Sequence, residues 1–128
     1  MEKKAVTTGE LIIINNALYF LVNKLTKGMD IYNINKMIYP LKKEALAFEA
    51  TRKKINKKYL KKGQKELERG SEEELKASDE LKEVRGKSAG DFEYNKIPLN
   101  LLDRISFKEN EGAILVDIMF LFEESKEK

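Results

Sequence analysis

The apolar positions near the start of the chain predict a central helix. They recur at three- and four-residue spacing, the period of an α-helix, at Leu11, Ile14, Leu18, Leu21 and Leu25. Thr7 and Glu10 stand three residues apart before this run, which is the spacing of a capping box. Other apolar residues fill most of the remaining helix surface, so we expect the helix to be packed on several sides. Gly28, directly after Lys27, predicts its C-terminal end.

A second apolar seam predicts a long helix that starts near Asp30. Its positions alternate between three- and four-residue spacing over roughly four heptads, at Ile31, Ile34, Ile38, Leu41, Ala45, Phe48, Arg52, Ile55 and Tyr59. Pro40 lies inside the seam and removes one backbone hydrogen bond, so a kink or a break is expected there. A coiled coil with another chain would explain the seam, but we favour packing on the first helix.

The next segments predict a turn, an acidic helix and a loop. Glycines at both ends predict an internal turn at 63–70. Ser71 and Glu74 repeat the capping-box spacing and open an acidic helix that is followed by Gly86. Residues 86–91 are predicted to form a loop.

The remaining strand signals are weak. Residues 92–96 alternate between apolar and polar side chains, as in a half-buried strand. Residues 3–6 are the only other strand candidate, so we expect the two segments to pair as a ribbon. The run 114–122 fits either a helix or a buried strand, and the capping-box spacing of Ser106 and Glu109 favours the helix. The charged tail at 124–128 is predicted to fray.

These elements predict a mainly α fold, α+β at most. The expected architecture is a small helical domain with a long kinked second helix and at most a two-stranded ribbon. A length of 128 residues fits one domain spanning 1–128. No apolar run is long enough to cross a membrane.

Composition removes several kinds of chemistry. The chain contains neither Cys nor His, which excludes disulfides, thiolate metal sites and histidine-based acid–base catalysis. The acidic residues form no metal-binding motif, and no glycine pattern suited to binding phosphate is present. We therefore expect no enzyme activity, no cofactor and no metal.

The charges are distributed unevenly. Residues 1–65 hold 15 Lys or Arg and 5 Asp or Glu, whereas residues 66–128 hold 10 and 17. On a continuous helix one basic side would carry Lys54, Lys57, Lys58, Lys61 and Lys65. This stripe is a candidate surface for nucleic acid, and pairing with the acidic helix is the alternative.

Arg52 completes the candidate interaction surface. It occupies a position of the apolar seam, where its guanidinium needs a partner or access to water. Glu49 lies three residues earlier, so an internal salt bridge is the favoured interpretation. The other interpretation makes Arg52 a polar selector in an interface with another chain.

Several short segments resemble a family of small proteins encoded by phages and prophages of Gram-positive bacteria, a domain of unknown function. The first segment is Thr8-Gly9-Glu10-Leu11 leading into Asn16-Ala17-Leu18, and the second is Phe48-Glu49-Ala50-Thr51-Arg52 continuing to Tyr59. The later ones are Ile97-Pro98-Leu99 with Leu102 and Ile105, and Leu121-Phe122-Glu123-Glu124. The resemblance implies a phage origin and a helical fold, and it supplies no active site. Pro40 and the lysines at 53–62 differ from the family pattern.

The sequence therefore predicts a non-enzymatic protein-interaction module. A virion or assembly component and an inhibitor of a host protein both remain open, as does a homo-oligomer. The expected location is the cytoplasm of the infected bacterial host or the virion, without membrane association. A nucleic-acid-binding accessory that uses the basic stripe at residues 53–65 is the second hypothesis.

Overall fold

A computed structural model describes residues 2–123 and confirms a mainly α fold with a small antiparallel ribbon. The predicted frayed tail at 124–128 lies outside these residues. The elements in chain order are β1 (Glu2–Thr7), α1 (Thr8–Lys24), α2 (Gly28–Lys58), α3 (Glu72–Arg85), β2 (Ser88–Tyr94), β3 (Ile97–Pro98), a 3-10 helix (Leu99–Arg104), α4 (Gly112–Val116), a second 3-10 helix (Met119–Leu121) and β4 (Phe122–Glu123). The predicted internal turn at 63–70 lies in the irregular connection between α2 and α3.

The helix α1 is the centre of the fold, as predicted. Its N-terminus carries the complete capping box: Glu10 donates its backbone N–H to the Thr7 hydroxyl at 3.2 Å, and the Glu10 carboxylate accepts from the Thr7 N–H at 3.0 Å. Leu18 and Leu21 are fully buried. The helix contacts α2, α3, β1 and β2, so its broad apolar surface is covered on several sides.

The helix α2 is longer than any other helix of the described chain, and it starts earlier than predicted. Gly28 is its first residue rather than the end of α1, which stops at Lys24. The helix continues through Pro40 to Lys58. The expected break at Pro40 is therefore wrong, and a kink there stays a prediction. Ile34, Ile38 and Leu41 face the core, as the apolar seam predicts, and Met37, which is not part of the seam, is buried with them.

The ribbon joins the two predicted strand segments. β1 and β2 pair antiparallel, with Lys3 opposite Glu93 and Lys4 opposite Phe92. The prediction of a loop at 86–91 is wrong over most of its length, since β2 begins at Ser88. Within this strand Gly90 adopts a positive φ of 85°, a conformation that glycine reaches readily.

Residues 106–123 contain no long helix. The helix favoured for 114–122 is wrong, because α4 has only 5 residues and a 3-10 helix and the short strand β4 follow it. Buried residues recur here every third position, at Leu115, Ile118 and Leu121. Three residues per turn is the period of a 3-10 helix, and it places all three side chains in the core. The Ser106 cap does not form; instead Lys108 donates its N–H to the Glu111 carboxylate at 2.7 Å. β4 pairs in parallel with β3.

Candidate functional site

The predicted basic stripe does not form one helical face. Arg52, Lys54, Lys57 and Lys58 lie on the last turns of α2, whereas Lys61 and Lys65 follow the end of the helix. The helix tightens at its end, where Tyr59 and Leu60 donate their backbone N–H groups to carbonyls three residues earlier. Gly63 then adopts a φ of 88°, a conformation that glycine adopts readily. The stripe is therefore interrupted after Lys58.

Two lysines of the stripe pair with the acidic helix α3. Lys58 Nζ lies 2.9 Å from Glu80 Oε1, and Lys61 Nζ lies 3.8 Å from Glu73 Oε1. Hydrogen bonds from the Tyr59 hydroxyl and from the Lys58 ammonium hold the pKa of Glu80 below its ordinary value. For these two residues the structure confirms the alternative of internal pairing.

Arg52 forms the internal salt bridge that its spacing predicted. Its Nε donates to Glu49 Oε2 at 3.0 Å, and its Nη2 contacts the other carboxylate oxygen. This bidentate hydrogen bond lowers the pKa of Glu49 and raises the pKa of Arg52. The guanidinium is satisfied within its own helix, so it needs no second chain.

One cleft brings together two of the six candidate residues. Arg52 and Lys65 both line a cavity of about 430 Å³ between the end of α2, the connection and α3. Glu66 and Glu74 line the same cavity, so two cationic and two anionic side chains contribute to it.

Three of the candidates, Lys54, Lys57 and Lys65, are exposed and form no ion pair with another residue of the range 2–123. Lys54 and Lys57 lie on α2, whereas Lys65 lies in the connection and lines the cleft. Lys53 is exposed beside them, and its charge contributes to lowering the pKa of Glu49. Lys53, Lys54 and Lys57 therefore form the part of the basic stripe that remains exposed on α2.

A second line of exposed residues on α2 was not predicted from the sequence. We call it the outer stripe, and it lies on the side of the helix opposite the buried seam. Its apolar members are Met29, Tyr32, Tyr39 and Leu46, with Lys36 and Lys43 between them. Tyr39 is 81% exposed, and Tyr32 and Leu46, one heptad to either side, are 57% and 61% exposed. The seven-residue spacing of these three residues is a sequence signal that could have revealed the stripe.

The outer stripe has the chemistry of a protein-binding surface. Tyrosine and methionine are enriched in interfaces, and the stripe from Met29 to Leu46 covers roughly 25 Å of helix at ~1.5 Å per residue. Lys36 lies over the Tyr32 ring, with its Nζ 5.5 Å from the ring centre. The result is an apolar line with lysines beside it.

The carboxylates that could support catalysis are dispersed. Among residues 2–123 no group of three or more Asp or Glu side chains is placed to hold a metal ion. Glu111 accepts a hydrogen bond from Lys24 Nζ at 2.9 Å and joins α1 to the C-terminal segment. Its pKa is lowered by this hydrogen bond and by the one from the Lys108 backbone.

Comparison of the chain with protein families, with curated proteins and with solved structures finds no match. Within the described chain, no helix combines the length and the apolar character needed to span a bilayer.

Proposed function

We propose that the protein is a non-enzymatic protein-interaction module that binds its partner along the outer stripe of α2. The observation that carries the proposal is the exposure of Tyr39 at the middle of the stripe, between Tyr32 and Leu46. Single exposed apolar residues are ordinary, whereas an aligned series of them is typical of a binding surface. Tyrosine also supplies a large contact area with little side-chain entropy to lose.

The charges beside the stripe favour an acidic amphipathic helix as the partner. Lys36 and Lys43 occupy the positions between the large apolar residues, and Lys42 lies next to them. A helix that placed apolar residues against Tyr39 and carboxylates against these lysines would match both features. Two copies of this protein would bring lysines together in either orientation, which disfavours self-association through the stripe.

The biological setting belongs to the same proposal. The sequence resemblance supports a phage-encoded protein that acts in the cytoplasm of the infected bacterial host or in the virion. A phage partner would make it a virion or assembly accessory, and a host partner would make it an inhibitor. The identity of the bound protein distinguishes these two roles.

The test is affinity capture of the tagged protein from phage-infected cells with nuclease treatment, read by mass spectrometry. We expect one stoichiometric protein partner that is lost with Leu46→Glu and retained with Leu75→Glu. The control is closely matched, because Leu75 is 60% exposed on α3 and Leu46 is 61% exposed on α2. Equal capture by the two variants would refute binding through the outer stripe.

Nucleic-acid binding is a second candidate function, favoured by the three exposed cations Lys53, Lys54 and Lys57. They occupy adjacent turns of α2 and are free to neutralise phosphates. Replacing all three by Glu is expected to abolish binding of DNA and RNA at low salt if this function is real. The variant leaves the Lys58–Glu80 pair intact, so a loss would not arise from detachment of α3. Unchanged binding would exclude this surface.

A further inference from the structure

The strand β2 has one edge that no other strand of the described chain covers. β1 pairs along one edge, and the sheet contains only these two strands within residues 2–123. An uncovered edge presents backbone N–H and C=O groups that are able to pair with another extended chain.

A groove runs along this uncovered edge. It has a volume of about 750 Å³ and lies between β2 and the first half of α2. Consecutive residues 91–98 line it, and no residue of β1 does. Side chains alternate between the two faces of a strand, so a cavity lined by consecutive residues follows the edge rather than one face of the sheet.

The walls of the groove are apolar. Ile34, Met37 and Leu41 come from α2, and Tyr94 and Ile97 come from the opposite side. Ile34 is fully buried and forms the floor, whereas Met37 and Tyr94 each keep 8% of their surface exposed and Pro40 beside them is exposed. The cavity is within the size range of known ligand sites, and Met37, Tyr94 and Pro40 offer apolar contacts to side chains of an extended peptide.

The rim of the groove carries unneutralised negative charge. Glu44 on α2 and Asp91 on β2 both line it, and neither forms an ion pair with another of the described residues. Asp30 and Glu93 also line the groove, so four carboxylates contribute to it against the two ammonium groups of Lys36 and Lys96. This excess of negative charge favours a ligand with cationic side chains.

We propose that this groove binds an extended basic segment of another protein by strand addition to β2. The backbone of the segment pairs with the free edge, its apolar residues contact Met37 and Tyr94, and its cationic residues reach Glu44 and Asp91. This is a recognised mode of peptide binding. The site shares only Lys36 with the outer stripe, and it does not depend on the function proposed for the stripe.

A second copy of the protein is a poorer occupant. In a symmetric antiparallel pairing of two β2 strands, Asp91 would stand opposite its own copy or opposite Glu93. Like charges directly opposite each other destabilise a strand pair. The charge of the edge therefore selects a basic partner and disfavours self-association.

The experiment uses two short blocked peptides, one alternating lysine with valine and one alternating glutamate with valine. Each is titrated to about 1 mM, where even a weak complex forms, into the isotope-labelled full chain and followed by NMR. We expect the lysine–valine peptide to shift the amides of residues 89–98 and of α2 near Met37 in a saturable manner. The glutamate–valine peptide is expected to leave them unchanged.

Two controls test the mode of binding. The double substitution Glu44→Lys with Asp91→Lys changes two exposed side chains, so the fold is expected to survive. It should weaken the lysine–valine peptide roughly tenfold, from two surface charge contacts, and allow the glutamate–valine peptide to bind. The lysine–valine peptide with all of its backbone amides N-methylated should not bind, because it lacks the donors for strand pairing.

Three results would overturn the proposal. The first is an absence of shifts at the β2 edge, the second is equal binding of the two peptides, and the third is undiminished binding of the N-methylated peptide. Dimerisation of the free protein through β2 would also overturn the proposal, because the edge would then belong to a second copy. Concentration-dependent shifts of the same amides would detect it.

Discussion

Lys58 donates a hydrogen bond of 2.9 Å to Glu80 and thereby joins the end of α2 to α3. The lysine belongs to the basic part of the chain and the glutamate to the acidic part, so this pair shows how the uneven charges meet inside the fold. α3 buries only Ala77 and Leu81 fully, so polar contacts form a large part of its attachment. The position of α3 should therefore depend on the charge of Glu80.

Acid is expected to weaken the attachment of α3. The pKa of Glu80 is lowered from its ordinary value of 4.5 by hydrogen bonds from Tyr59 and Lys58. A carboxyl whose pKa is lower in the folded chain than in the unfolded chain stabilises the fold. This contribution is complete above the unfolded pKa and is lost as the pH falls through the folded pKa. We expect Glu80→Gln to lower the Tm near pH 7 and to have a smaller effect near pH 3.

Glu83→Gln is the matched control for this prediction. Glu83 is an exposed residue of the same helix and forms no ion pair within residues 2–123. It should change the Tm little at either pH. A Glu80 effect that persists undiminished in acid would show that packing rather than charge is lost.

Pro40→Ala is expected to stabilise the protein. Pro40 lies inside α2, where it has no backbone N–H to donate to the helix. Its side chain is exposed, so its replacement loses little packing. The free energy of unfolding should rise by about 2 kcal/mol. This is less than the full ~3 kcal/mol cost of an interior proline, because alanine gives the unfolded chain more conformational entropy than proline does. Urea unfolding measures it, with the exposed Tyr39→Ala as the control. An unchanged stability would mean that a kink accommodates Pro40 at no cost.

The elements with strong local signals were predictable from the sequence. The Thr7 and Glu10 capping box, the periodic apolar residues of α1 and the seam of α2 each depend on neighbouring residues alone. The pairing of residues 3–6 with 92–96 followed by elimination, because no other segment had the pattern of a strand. Local rules were sufficient for these parts of the fold.

The errors arose where packing decides the structure. In a short run, the three-residue spacing of Ile118 and Leu121 fits both an α-helix and a 3-10 helix. Their complete burial in 3-10 turns depends on the rest of the core. The basic stripe assumed a helix through Lys65, but the tight turns after Lys58 allow Lys61 to reach Glu73 on α3. The free edge of β2 is a property of strand order, which no single segment reveals.

Gly9 and Gly112 are expected to respond differently to alanine. A Cβ at Gly9 would lie 3.1 Å from the Arg85 Cβ and 3.3 Å from the Arg85 carbonyl oxygen, whereas one at Gly112 would have nothing within 4 Å. Overpacking of this kind costs about 1 kcal/mol or more. Gly112→Ala should instead stabilise by ~0.4–1 kcal/mol through the unfolded state. Thermal unfolding of the two variants compares them, and a stabilised Gly9→Ala would show that α1 and α3 separate easily.

The burial of α1 is tested by truncating one residue on each side of it. Leu21 is fully buried, whereas Ile13 is 48% exposed. Leu21→Ala removes methyl groups from a packed site and should lower the free energy of unfolding by about 3 kcal/mol. Ile13→Ala should cost roughly 1 kcal/mol or less, because much of its surface already faces water. Urea unfolding measures both changes. Equal losses would mean that something covers Ile13 as completely as the core covers Leu21, and the exposed side of α1 would then be wrong.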